Sequence, residues 1–140
     1  MTHGSLLSCV AFLSSLYCFI SLINLEKVIN LQNLMAVSPQ NLSFVREILE
    51  VYLANSPLDM AALKERIDES DWEQVRYFAH KLKSSSFIIG FESGGKIYQE
   101  IETRIKDKED LSDIPALMDE AISLCDRALV EVKMHLKTLM

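Results

Sequence analysis

The sequence predicts an all-α fold, an antiparallel four-helix bundle with an additional N-terminal capping helix. Three observations carry this. Only four Gly and three Pro interrupt 140 residues, whereas an all-β chain needs turn residues every 8 to 12 positions or so. From residue 24 onward apolar residues recur at intervals of three and four, and capping residues stand where such runs begin. At 49% hydrophobic the chain can fill one core of ordinary size. Two regions follow: an apolar N-terminal segment, 1–23, and a helical bundle, 24–140.

The N-terminal segment has no Asp, Glu, Lys or Arg before Glu26, and fifteen of the twenty residues from Leu6 to Leu25 are apolar. That length spans about 30 Å of hydrocarbon as a helix. Ser8, Ser14, Ser15, Ser21 and Asn24 dilute it, and His3 is the sole candidate cation ahead of it besides the amino terminus. Three readings stay open: a membrane contact through residues 6–25, an extra packed helix, or an artefact of the start site.

In the bundle region, Leu25, Val28, Ile29, Gln32 and Met35 read as a short amphipathic helix that stops before Ser38-Pro39, with Ser as the next N-cap and Pro at the first helical position. The second helix carries Leu42, Val45, Ile48, Leu49, Tyr52 and Leu53. Ser56-Pro57 repeats the signal, so Leu63 and Ile67 belong either to a new helix or to the far side of a kink. Ser70-Asp71-Trp72-Glu73 fits a capping box that opens a helix through Ile89, with Gly90 as its terminator. Gly94, Ile97, Tyr98, Ile101 and Ile105 form the stripe of the next helix. Its outer face offers the ion pairs Glu100 to Arg104 and Glu102 to Lys106. Gly94 reads as a close contact or a weak spot in that stripe. Residues 106–113, KDKEDLSD, form a polar turn, and Leu117, Ala121, Leu124, Cys125, Ala128, Val132, Leu136 and Leu139 stripe the last helix. Helices with one apolar stripe each and short connections bury those stripes most simply as a bundle.

Fourteen basic against twenty acidic side chains give a net charge of −6, which disfavours nucleic acid as a partner. Cys9, Cys18 and Cys125 are odd in number and lack metal or redox spacing, so a reducing, cytoplasmic setting is expected. Cys125, on the core stripe, reads as packing, as do Tyr52, Trp72 and Tyr98 as core or rim. His3 and His135 have no partner at ligand spacing, and no metal site is expected. The run Gly90 to Lys96, GFESGGK, matches the first seven positions of a phosphate-binding loop. Ile97 replaces the required Ser or Thr, a helix replaces the strand, and Glu92 is anionic, so the match is rejected.

One helix face holds the pattern to explain. With Trp72, Val75, Ala79, Leu82, Ser86 and Ile89 in the core, His80 lies off the stripe, with Arg76 and Tyr77 a turn behind it, Lys83 and Ser84 a turn ahead, and Phe87 at seven. Alone, such a histidine is an ordinary solvated one. A cation one turn away disfavours the protonated ring, and a neutral imidazole is the nucleophilic form. Lys83 can also neutralise a phosphoryl group on the ring, and small Ser84, Ser85 and Ser86 leave it room. Arg76 through Gly90 holds three cations and no anion, which would steer an acidic pocket toward this helix.

The run AHKLKSSSFIIG, Ala79 to Gly90, resembles the signature of the histidine-containing phosphotransfer (HPt) domain of two-component phosphorelays: histidine, lysine three residues later, small residues, then glycine at ten. NLEKV at 24–28, FVREILEVYLANSP at 44–57 and DWEQVRYFAHKLK at 71–83 are similar to its flanking helices. The likeness covers about residues 24 to 139. It implies a four-helix bundle without kinase activity of its own, with His80 as phosphoacceptor, Lys83 stabilising the phosphoryl group, and Ser84, Ser85 and Gly90 in support. The family's usual glycine after the lysine is Ser84 here. The implied partners are receiver domains of response regulators or hybrid sensor kinases, whose aspartate pocket supplies the Mg²⁺. Phe87 and Tyr77 would be the apolar part of the docking patch, with Arg76 and Lys81 as its charged rim. The alternative function is a non-catalytic helical adaptor that docks receiver or sensor domains without carrying phosphate.

Overall fold

The computed structural model describes residues 27–139, and the readings on residues 1–26 lie outside them. Among the described residues there are five helices and no strand: α1 (Gln32–Val37), α2 (Leu42–Asp68), α3 (Trp72–Ile88), α4 (Glu92–Lys106) and α5 (Ile114–Thr138). None is long and apolar enough to cross a membrane. Helices α2 to α5 pack in a ring, each against its neighbours in sequence, and α5 closes on α2. Side chains equidistant from a turn meet across it. Lys81 reaches Asp59 about the 69–71 turn, and His80 reaches Glu102 about the 89–91 turn, so successive helices run antiparallel. The stripes expected from sequence point inward: Val75, Ala79, Leu82 and Ser86 on α3, and Tyr98 and Ile101 on α4, have no exposed surface. Each fully buried aliphatic side chain contributes roughly 1.5–3 kcal/mol relative to exposure.

Several boundaries differ from expectation. The chain around Val28 and Ile29 is not helical. It is a strap whose two amides donate to the Glu131 carboxylate of α5, the shortest at 2.8 Å, and α1 begins only at Gln32. Ser38-Pro39 lies in a turn, and Asn41 caps α2 by accepting from the Phe44 amide at 3.1 Å. Pro57 neither starts a helix nor ends one. A proline at this point costs one backbone hydrogen bond, yet α2 runs through it for 27 residues, because Ser56 and Met60 are buried on either side. Ser56 Oγ turns to Cys125 Sγ at 3.7 Å instead of capping. The capping box at Ser70 is absent: Ser70 adopts φ 55° and Asp71 is the cap, accepting from Gln74. Burial pushes the Cys125 thiol pKa up, as suits a packing residue.

Gly90 ends α3 with φ 76°. Its carbonyl accepts from the Asn30 amide at 3.1 Å, and a Cβ there would collide with the Asn30 carbonyl. The strap therefore crosses the end of α3 through a gap that only glycine leaves. At Gly95 a Cβ would run into the Phe87 ring, so this glycine lets that ring come close to α4. Gly94 sits equally tight against Phe91 and is a close contact. Two of the three glycines of the GFESGGK run, Gly94 and Gly95, are inside α4, which is incompatible with a phosphate-binding loop.

Candidate functional site

His80 stands midway along α3 with its side chain 62% exposed. The geometry around it includes a residue that the sequence did not single out. Glu102, expected to pair with Lys106 along α4, crosses to α3 instead: Oε1 lies 3.0 Å from His80 Nδ1 and Oε2 lies 2.8 Å from Lys83 Nζ. The carboxylate, 16% exposed, thus braces both the imidazole and a lysine that is itself 22% exposed. Partial burial raises the Glu102 pKa. The hydrogen bonds and charges of Lys83 and His80 outweigh it, and the net direction is down. An ionised carboxylate only accepts, so Nδ1 of the neutral ring must be the donor and Nε2 carries the lone pair.

The signal for Glu102 lay in register. His80 is ten residues before Gly90 and Glu102 is twelve after it, which brings the two to one height on antiparallel helices. The surface is also less basic than α3 alone suggests, because neighbouring helices supply anions. Lys81 pairs with Asp59 of α2 at 3.0 Å and Lys83 with Glu102. Arg76 forms no ion pair among the described residues and lines the same cleft as Glu73, Tyr77 and His80.

The three serines separate. Ser84 donates to the His80 carbonyl at 3.1 Å and remains on the exposed face; Ser85 donates to the Leu82 carbonyl; Ser86 is buried in the core. Room beside the ring is thus left by Ser84, whereas Ser85 lines a different feature, an apolar groove of about 430 Å³ between α2 and α3. Phe44, Val51 and Ile88 border that groove, each partly exposed, and Lys81 stands at its rim. Tyr77 is 59% exposed and meets Phe78 edge to face at 5.1 Å; Phe87 is 41% exposed. Sequence reading placed Tyr77 and Phe87 on the face outside the core, where they lie, but did not find the groove, whose α2 wall was credited only with core positions. Among the described residues no cluster of His, Cys, Asp and Glu is arranged to hold a metal.

A helical bundle presenting one braced, solvent-facing histidine defines the class. The family model of the Hpt domain matches residues 47–138, well over half of the chain, and the protein belongs to that family. No curated protein and no solved structure matches it. Membership gives the chain a phosphotransfer-related role in two-component signalling; Hpt domains are carriers, not kinases, and interact with receiver domains.

Proposed function

We propose that His80 accepts a phosphoryl group from a receiver-domain aspartate and passes it to another receiver. The observation that supports this best is the His80–Glu102 hydrogen bond at 3.0 Å on a largely exposed ring: it occupies Nδ1 and leaves Nε2 as the nucleophile. Phosphoryl transfer asks mainly for alignment and charge neutralisation. The rigid α3 helix provides the first, and Lys83 contributes to the second by turning its ammonium to the phosphoryl oxygens. The receiver brings the carboxylate and its Mg²⁺; this chain needs no cofactor of its own.

Docking uses the exposed side of α3. Tyr77 and Phe87 supply apolar contact, Arg76 and Lys81 the charged rim, and the α2/α3 groove extends the patch toward Phe44 and Val51. Ser84 and Ser85 support α3 near the ring, and Gly90 fixes its end.

The test is direct. The full chain, mixed with a phosphorylated receiver, gains an acid-labile phosphoryl group, and His80→Gln does not. Label that persists in His80→Gln overturns the assignment. Receiver binding with no label on the wild-type chain would instead mark a non-catalytic adaptor.

A further inference from the structure

We infer that Arg76 is a second phosphoryl-binding residue of this chain, its guanidinium closing on the phosphoryl oxygens from the end of the His80 ring that Lys83 does not cover. This rests on His80 being the phosphoacceptor, and it gives Arg76 a part in the chemistry beyond its place on the docking rim.

Three observations meet at this side chain, and the first is position. At about 100° per residue, Arg76 and Lys83 fall about 40° and 60° to the same side of His80, one a turn toward the N-terminal end of α3 and the other a turn toward its C-terminal end. Cβ atoms four residues apart on a helix are separated by about 5–6 Å, within the reach of an arginine side chain. The two cations therefore bracket the ring. The second is the cleft beside the imidazole, an open space of about 630 Å³ lined by Glu73, Arg76, Tyr77, His80, Lys81 and Glu102 but not by Lys83. The third is uncommitted charge. Lys81 is held by Asp59 at 3.0 Å and Lys83 by Glu102 at 2.8 Å, whereas Arg76 is exposed and forms no ion pair among the described residues. Lys83 must leave a carboxylate to reach a phosphoryl group; Arg76 leaves nothing. Glu73 lines the same cleft but stands seven residues from His80, about 10 Å along the helix axis, so the end of the cleft nearest the ring falls to the guanidinium.

The chemistry suits this residue type. In loading, the Nε2 lone pair bonds to phosphorus while the donor aspartate oxygen departs with the electrons of its phosphorus–oxygen bond, and negative charge is spread over the three equatorial oxygens. A guanidinium is planar, always charged, and offers two parallel N–H donors to two of those oxygens. The third remains for Lys83.

The experiment loads the full-length wild type, Arg76→Ala and Arg76→Lys with phosphoramidate, which has no docking surface, and then with a phosphorylated receiver over a range of concentrations. In the first reaction ammonia leaves with the electrons of the phosphorus–nitrogen bond, the nitrogen of phosphoramidate being already protonated near neutrality. Arg76→Ala loads from phosphoramidate about five- to twentyfold more slowly than wild type. Arg76→Lys, which keeps the charge but not the fork, falls between the two. With the receiver, the rate at saturation drops by a similar factor in Arg76→Ala. Equal phosphoramidate rates for wild type and Arg76→Ala overturn the inference. So does a change confined to the half-saturating receiver concentration, which would leave Arg76 a docking residue alone. Failure of the underlying assignment looks different: no label on the wild type, or label surviving His80→Gln.

Discussion

Lys83 Nζ and Glu102 Oε2 stand 2.8 Å apart across the α3/α4 interface, so the ammonium is held by a carboxylate before any phosphoryl group arrives. In the proposed transfer, its service to a phosphoryl group would be an exchange of one anion for another within reach of the same flexible side chain. The exchange replaces a charge-assisted contact with another and leaves the helices where they are.

Lys83→Ala removes that exchange. A hydrogen bond to a charged group is worth about 1.5–3 kcal/mol, so loading of His80 from a phosphorylated receiver slows by about ten- to a hundredfold. Quench-flow labelling measures it, and a rate equal to wild type would show that Lys83 takes no part.

The depressed Glu102 pKa makes stability depend on acid. The folded value lies below the unfolded one, near 4.5, so the contribution is fully present above about pH 5 and is lost as the pH falls through the folded value. Urea midpoints across this range therefore decline more steeply for wild type than for Glu102→Gln. Parallel declines would contradict it.

Gly90→Ala combines a positive φ with a collision against the Asn30 carbonyl. The expected loss is about 2 kcal/mol or more, read as a lower urea midpoint with an unchanged slope. A midpoint within error of wild type would mean that the strap moves aside at no cost.

Phe87→Ala truncates an exposed ring on the proposed docking face. Receiver affinity measured by calorimetry falls by about 1–2 kcal/mol, while His80→Gln binds like wild type. Equal affinity of Phe87→Ala and wild type would place the contact elsewhere.

Glu131→Ala frees the Val28 and Ile29 amides from their shared carboxylate. Stability drops by about 1–3 kcal/mol, and hydrogen exchange at these two amides rises more than at α3 amides. Uniform change across the chain would argue against a local clasp.

The fold was legible in sequence wherever apolar spacing alone decided it: Val75, Ala79, Leu82 and Ser86 face inward as their intervals demand. Capping was less legible because neighbouring residues compete. Asn41 and Asp71 displaced Ser38 and Ser70 as caps, and buried neighbours carried α2 through Pro57. His80 and Lys83 share one helix, so their proximity follows from three-residue spacing. Glu102 belongs to another helix and had a local partner in Lys106 at a favourable interval. Only the pairing of α3 with α4 about the 89–91 turn sends it to His80. The groove was hidden for a similar reason, since its walls come from two helices.

Lys81 stands at the boundary between two pairs of helices. On one side, α3 and α4 together hold His80, Lys83 and Glu102; on the other, α2 and α3 enclose the groove. On the docking face proposed above, substitutions along the outer wall of α2 would retune which receiver is preferred while His80, Lys83 and Glu102 stay as they are, so that partner choice and chemical competence would be free to diverge separately on one small scaffold.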